Sequence, residues 1–163
     1  MSPSVKPTRR ALLALAAVAG VAGLGALPHL LAASVRTQVA VWKTPNCGCC
    51  KDWVKHLETN GFDVVTHDVK ETASKRQALG LAEKYGSCHT ATVNGYVLEG
   101  HVPARDIQRL LRDKPSAIGL AVPGMPVGSP GMEMGTGADA FDVVLVLKDG
   151  SSRVFQSYAA KAA

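Results

Sequence analysis

Three cysteines stand within four positions of this chain, in the stretch TPNCGCCKDW at residues 44–53. Cys47 and Cys50 have the C-x-x-C spacing, and Cys49 lies between them. A thiolate is both the attacking group in disulfide exchange and a ligand for soft metal ions. The stretch therefore predicts a redox pair, a metal site or both, while a purely structural disulfide would close a loop too short to stabilise much.

The middle cysteine argues against a simple redox pair. A dithiol enzyme needs one attacking and one resolving thiol, and a third thiol between them would scramble the exchange. Cys49 and Cys50 are adjacent, so their side chains cannot bridge each other without strain. Three soft donors in one turn favour Cu(I). Zinc is less favoured because the sequence lacks a second C-x-x-C pair, and the spacing is unlike that of iron–sulfur sites.

The elements that would position these thiols follow from hydrophobic spacing and turn residues. An Asn-Gly pair marks a hairpin turn, and Pro103 suits the first position of a helix. The predicted elements are a strand at 38–42, a helix at 50–60, a strand at 62–69, a helix at 71–86, a hairpin at 90–100 and a helix at 103–113. This β-α-β-α-β-β-α order predicts an α/β domain with a thioredoxin-like fold, whose first two strands are parallel.

A fourth cysteine, Cys88, is followed by His89 just before the third predicted strand. In a thioredoxin-like domain the loop before this strand packs against the C-x-x-C loop. The C-x-x-C loop itself lies at a helix N-terminus, where unpaired N–H groups stabilise thiolates. We therefore predict a metal site formed by Cys47, Cys49, Cys50, Cys88 and His89.

Weaker candidate ligands lie further along the chain. Met125, Met132 and Met134 stand in a Gly/Pro-rich segment, where methionine has less packing reason than on a helix, and Met132 is the leading candidate. His101 follows the hairpin and is predicted either to reach the site or to cap the helix that starts at Pro103. His56 is predicted to be a surface residue.

The second half of the chain contains two segments of different composition, a Gly/Pro-rich loop and a β-hairpin with a tail. Residues 115–141 contain four Pro and six Gly, which excludes a long regular element, and we predict a loop packed on a core domain at 35–114. Residues 142–163 are predicted to add a C-terminal β-hairpin, with Asp149 and Gly150 in its turn, and a tail of the same domain.

The first 34 residues have the segment order that is typical of an export signal. Lys6, Arg9 and Arg10 precede an apolar stretch, and the segment resembles a twin-arginine signal. A retained membrane anchor is the alternative. Export predicts a periplasmic location, where disulfides persist. The formal charge of +5 falls to +2 without these three basic residues, which gives no support for nucleic-acid binding.

Three stretches together resemble the CopG-type periplasmic copper-resistance proteins: CGCC, CHTATVNGYVLEGHVPA and GLAVPGMPVGSPGMEMG. The similarity runs over about residues 39–158. It implies a thioredoxin-like fold and a copper site on Cys47, Cys49, Cys50 and Cys88 with His89 beside them. It also implies a cluster of several Cu(I) ions and a redox role in copper handling.

We therefore predict a periplasmic protein that binds Cu(I) in copper resistance, with copper ions and other periplasmic copper-handling proteins as partners. A binding protein is favoured over an enzyme. Two alternatives stay open. One is a thiol–disulfide oxidoreductase in which Cys47 attacks and Cys50 resolves, and the other is a structural zinc domain.

Overall fold

The computed structural model describes residues 36–135 and 137–162, and the predicted export signal lies outside them. The elements in chain order are β1 Thr37–Lys43, α1 Gly48–Thr59, β2 Phe62–Asp68, α2 Ala73–Ala78, a 3-10 turn Glu83–Tyr85, β3 His89–Val93, β4 Tyr96–Glu99, α3 Ala104–Asp113, β5 Gly119–Ala121, β6 Phe141–Val146 and β7 Ser152–Tyr158. The fold is therefore a mixed α/β fold with few helices.

A seven-stranded sheet in the order β2-β1-β3-β4-β5-β6-β7 forms the frame of the molecule. β1 pairs with β2 in parallel and with β3 antiparallel, and β3 and β4 form an antiparallel hairpin around Asn94 and Gly95. β5 pairs with β4 in parallel, while β6 and β7 continue the sheet antiparallel. The carboxyl end of β1 and the start of β3 therefore lie side by side, with Lys43 opposite His89.

The helices α1 and α3 pack apolar side chains into the same core cluster as the strands of the sheet. Trp53 and Leu57 of α1 are fully buried in one core cluster with Ile107 and Leu110 of α3. The Trp53 indole also donates a hydrogen bond to the carbonyl of Val102 at 2.9 Å. Because burial of side chains this large is a main source of folding free energy, α1 is fixed firmly against the sheet. The cysteines at its start share that fixed position.

The second predicted helix is shorter than its sequence pattern indicates. The sequence predicts a helix over 71–86, whereas α2 ends at Ala78 and only a 3-10 turn follows at Glu83–Tyr85. Gly80 has a φ of 81°, which ends the helix and turns the chain. The buried side chain that α2 contributes is Arg76 rather than an apolar one.

A strand occurs where the sequence predicts a loop. Gly119–Ala121 forms β5 in the centre of the second half of the sheet, with all three residues buried. A Cβ on Gly119 would lie 1.7 Å from the carbonyl oxygen of Val97, so only glycine permits this pairing. Three residues are too few to show a strand period in a Gly/Pro-rich context.

Among the described residues, no helix combines the length and the apolar character that crossing a membrane requires.

Candidate metal centre

The four cysteine sulfurs meet at one place, where Cys50 is buried and the other three cysteines are half-buried. Cys47 and Cys50 are joined by a disulfide. Cys49 Sγ lies 3.6 Å from Cys47 Sγ and 3.8 Å from Cys88 Sγ, and Cys88 Sγ lies 3.5 Å from Cys50 Sγ. All four sulfurs fall within 4.8 Å of one another. Four sulfur donors at this spacing form a candidate site for a soft metal ion.

Two elements bring these sulfurs together. Cys47 is the N-cap of α1, and the N–H of Cys50 donates to its sulfur at 3.3 Å. Cys88 immediately precedes β3, which lies next to β1. Because β1 leads directly into the cysteine loop, its pairing with β3 places Cys88 beside the start of α1. The register of the sheet thus connects residues that are 38 positions apart in sequence.

Two buried histidines extend the donor set on the side of Cys88. Nδ1 of His89 is 3.3 Å from Cys88 Sγ, and Nε2 of His101 is 3.1 Å from the same sulfur. These three residues form a second group whose donor atoms could hold a metal ion. Both rings are fully buried, and their centroids are 5.0 Å apart. Cys88 belongs to both donor groups.

Both imidazoles are held in the neutral form that binds metal. Burial, with a smaller contribution from His101, lowers the pKa of His89 to about 3. Burial also lowers the pKa of His101 below its ordinary value. In neutral His101 the ring proton is on Nδ1, because this atom faces the Pro130 carbonyl at 2.8 Å. The lone pair of Nε2 therefore points toward Cys88.

The thiol of Cys88 has the opposite environment. Burial and the neighbouring Cys49 raise the pKa of Cys88 to about 12. Without a cation this sulfur therefore carries its proton at neutral pH, and a bound metal ion would displace it. His89 adds an unusual feature, because its buried Nε2 has no hydrogen-bond partner among residues 36–135 and 137–162. These donors fit a soft, thiophilic cation such as Cu(I).

The Gly/Pro/Met segment reaches this centre through Pro130 and Gly131. Pro130 accepts the hydrogen bond from His101, and Gly131 lies against the first turns of α1. A Cβ on Gly131 would be 2.8 Å from the carbonyl oxygen of Cys49. The three methionines differ in exposure: Met125 and Met134 are 52% and 64% exposed, and Met132 is half-buried.

His56 has a structural role that its sequence position does not reveal. The sequence predicts a surface residue, but the ring is half-buried, and its Nε2 accepts a hydrogen bond from the N–H of Ala104 at 3.1 Å. His56, rather than His101, therefore caps α3. Burial lowers the pKa of His56, and Glu133 partly offsets this effect. The surface prediction is wrong because α1 packs beside the start of α3.

Comparison with solved structures decides the family. The chain is 47% identical to a structure described as copper resistance protein CopG, form 1, with a TM-score of 0.73 over 77% of this chain and 99% of that one. The chain belongs to the CopG family of copper-resistance proteins. Form 2 of the same protein matches with equal identity and TM-score over 76% of this chain and 99% of that one.

A second comparison agrees with the CopG assignment. A family described as protein of unknown function, DUF411, matches residues 85–132, which include Cys88, both buried histidines and the Pro130–Gly131 contact. No curated protein sequence gives a significant match. The family resemblance predicted from the sequence is thus confirmed: this is a copper-resistance homologue with a cysteine cluster that could bind metal.

Proposed function

We propose that this CopG-family chain binds copper as Cu(I) through the cysteine–histidine centre, and that it does so in copper resistance. The observation that carries the proposal is the convergence of four sulfurs, all within 4.8 Å of one another, with two buried imidazoles at Cys88. Sulfur and neutral imidazole are donors that suit Cu(I). The ligands in this proposal are Cys47, Cys49, Cys50, Cys88, His89 and His101.

The arrangement supports binding of more than one ion. The sulfur group and the group of Cys88, His89 and His101 share a single thiol. A thiolate carries several lone pairs, so Cys88 can bridge two cations. We therefore propose a multi-copper cluster, with Met132 as an additional thioether ligand and Met125 and Met134 as weaker candidates.

The disulfide sets a condition on this binding. With Cys47 and Cys50 joined, Cys49 and Cys88 are the free thiols of the centre. Full sulfur ligation requires two electrons from a thiol reductant, which convert the disulfide into two thiols, and Cu(I) then displaces their protons. The chain is therefore proposed to bind the full set of copper ions only after reduction.

The same disulfide favours the second candidate function, a thiol–disulfide oxidoreductase. Cys47 caps α1, where the helix N-terminus stabilises a thiolate, and Cys50 would resolve the mixed disulfide. Cys49 and Cys88 lie within 4 Å of this pair and would compete for the exchange. This crowding favours copper binding over thiol exchange.

The location and fold class complete the proposal. We infer a thioredoxin-like core at 35–114, because β2, β1, β3 and β4 are neighbours in that order, with the first pair parallel and the others antiparallel. Segments 115–141 and 142–163 add to the same domain. Export by residues 1–34 would place the chain in the periplasm, where other copper-handling proteins are its expected partners.

Metal counting after reduction tests the proposal. The chain is expressed with its export segment, purified, reduced anaerobically and titrated with Cu(I) against a competing chelator. More than one copper per chain, lost in Cys88→Ser but retained in a His67→Gln control at an exposed position, is the expected result. Less than one copper per chain with rapid reduction of a model disulfide would favour the oxidoreductase. Stoichiometric zinc that Cu(I) does not displace would favour the structural zinc domain.

A further inference from the structure

Glu99 is fully buried, and its carboxylate accepts hydrogen bonds from the residues on either side of Cys88 and His89. Oε1 of Glu99 accepts a hydrogen bond from the backbone N–H of Ser87 at 2.8 Å. Oε2 accepts one from the hydroxyl of Thr90 at 2.7 Å. Ser87 and Thr90 are the residues on either side of the pair. One side chain therefore holds the backbone before the two candidate ligands and the side chain of the residue after them.

The carboxylate of Glu99 forms an ion pair with one arginine, Arg76. Nη1 of Arg76 donates to Glu99 Oε1 at 3.1 Å, and its Nη2 donates to Glu83 at 2.6 Å. The side chains of Arg76 and Glu99 are 4% and 0% exposed, whereas Glu83 is 85% exposed. A buried ion pair is costly to desolvate, and apolar side chains of similar size are often as stable or more so. Stability alone thus gives a poor account of this pair.

The backbone near Cys88 needs such support. β3 begins only at His89, so Ser87 and Cys88 lie before the strand ladder. The N–H of Ser87 is satisfied by Glu99 instead of by a neighbouring strand. Cys88 Sγ must nevertheless stay close to both Cys50 Sγ and His101 Nε2. A displacement of about 1 Å is enough to impair a metal site of this kind.

We propose that Glu99 is a positioning residue for the copper centre, which together with Arg76 and Thr90 holds Cys88 and His89 at ligating distance from the other donors. This inference rests on the proposed copper function. The hydrogen bonds of Glu99 come from Arg76, the backbone of Ser87 and the hydroxyl of Thr90, so Glu99 acts through the residues on either side of the two candidate ligands. Arg76 links this support to α2, so α2 contributes to the site although it supplies no ligand.

Two variants separate positioning from general stability. Thr90→Val keeps the side-chain shape and removes one hydrogen bond to Glu99, and Glu99→Gln keeps the size and removes the charge. Glu83→Gln is the matched control. It removes the charge of the exposed carboxylate that accepts a hydrogen bond from Arg76, and it changes no residue in the segment 87–90. Val143→Ala, at a fully buried position in β6, is a control for stability loss away from the centre.

The readouts are Cu(I) affinity by chelator competition, the ultraviolet thiolate–Cu(I) charge-transfer band, melting temperature, and amide hydrogen exchange of the metal-free chain. Thr90→Val and Glu99→Gln are expected to weaken Cu(I) binding by roughly tenfold, as loss of outer-shell support does in other metal sites. They should also weaken the charge-transfer band and speed exchange at residues 86–91 but not at 50–58. Glu83→Gln and Val143→Ala should stay within about twofold of the unmodified chain in Cu(I) affinity.

Two results would overturn the inference. One is a Cu(I) affinity of Thr90→Val that equals the affinity of the unmodified chain. The same holds if the affinity of Thr90→Val falls no further than that of Val143→Ala when the two variants have similar melting temperatures. The other is unchanged hydrogen exchange at residues 86–91 in both Glu99→Gln and Thr90→Val. If the unmodified chain binds no Cu(I), the proposed function fails, and hydrogen exchange of the metal-free chain still decides whether Glu99 holds this segment. Thr90→Val alone carries the test if Glu99→Gln does not fold.

Discussion

Nδ1 of His101 donates a hydrogen bond to the carbonyl of Pro130 at 2.8 Å, across 29 residues of sequence. This contact joins the Gly/Pro/Met segment to the candidate centre. It also fixes the ring so that Nε2 is presented to Cys88 Sγ at 3.1 Å. A backbone carbonyl that orients a histidine in this way is a common outer-shell feature of metal sites. The loop therefore contributes to the centre even where it supplies no ligand.

Replacing His101 by Asn should weaken Cu(I) binding by roughly 10- to 100-fold, because both a nitrogen donor and the contact with Pro130 are lost. Chelator competition under anaerobic conditions measures the change. His67→Asn is the matched control, since His67 is exposed on β2. Equal affinity in the two variants would remove His101 from the proposed ligand set.

Gly131→Ala should disturb the first turns of α1 more than Gly124→Ala does. Both glycines have positive φ, 84° and 71°, so each substitution carries a similar backbone cost of about 1–2 kcal/mol. Only at Gly131 would the new Cβ also meet backbone, 2.7 Å from the nitrogen of Trp53 and 2.8 Å from the oxygen of Cys49. Backbone atoms cannot rotate away, so the loop must move.

Thermal unfolding and the alkylation rate of Cys49 report this difference. Gly131→Ala is expected to give the lower melting temperature and faster alkylation of Cys49. At Gly124 no atom lies within 4 Å of the added carbon, so the alkylation rate there should be unchanged. Similar values for the two variants would show that the close approach of the loop to α1 is not maintained in solution.

Met132→Leu should leave the melting temperature unchanged and weaken retention of Cu(I) severalfold, because leucine keeps the apolar volume and removes the thioether. Met134→Leu is the comparison: Met134 is the weaker candidate ligand and is 64% exposed, so its replacement should change copper retention less. Retention is measured as the rate of copper loss to a chelator. If Met132→Leu releases copper no faster than the unmodified chain, Met132 is not part of the site.

The metal-free chain should lose stability in acid partly through His56. Burial holds the pKa of His56 below its ordinary value of 6.5, so the folded chain binds this proton more weakly than the unfolded chain does. The stabilising contribution is complete above pH 6.5 and is lost as the pH falls through the folded-state pKa. Protonation at Nε2 would also break the cap on Ala104.

His56→Gln tests this dependence. The amide oxygen of glutamine can accept the hydrogen bond from Ala104 without titrating. The melting temperature of the variant should therefore fall less between pH 7 and pH 5 than that of the unmodified chain. Parallel curves would show that His56 does not couple acid to folding. Because His89 and His101 are retained in both chains, their contribution cancels in the comparison.

Much of the centre could be predicted from the sequence because its chemistry is concentrated in short stretches. The spacing of Cys47, Cys49 and Cys50 identifies a cluster of soft donors without any knowledge of the fold. Cys88 required a predicted strand order, and the structure places its sulfur 3.5 Å from that of Cys50. One residue in a loop carries no periodic signal, so the sequence is compatible with His101 either as a ligand or as a cap of the helix at Pro103.

The residues that support the centre were not predictable in the same way. Glu99 and Arg76 are charged residues in a hairpin and a helix, where charge normally indicates exposure. Their burial depends on packing between elements that are distant in sequence. The sequence does not predict β5 for a related reason, because its pairing with β4 and β6 defines it better than its own three residues do.

The donors of the centre come from three separate stretches: the start of α1, the start of β3 and the connection between β4 and α3. Cys50 and Cys88 are 38 residues apart, so an ion bound to both would close a long loop of chain. As with a disulfide, such closure restricts the unfolded chain more than the folded one. Copper held in this way would be a cross-link as well as a cargo, and we expect the loaded protein to resist proteases that digest the metal-free chain.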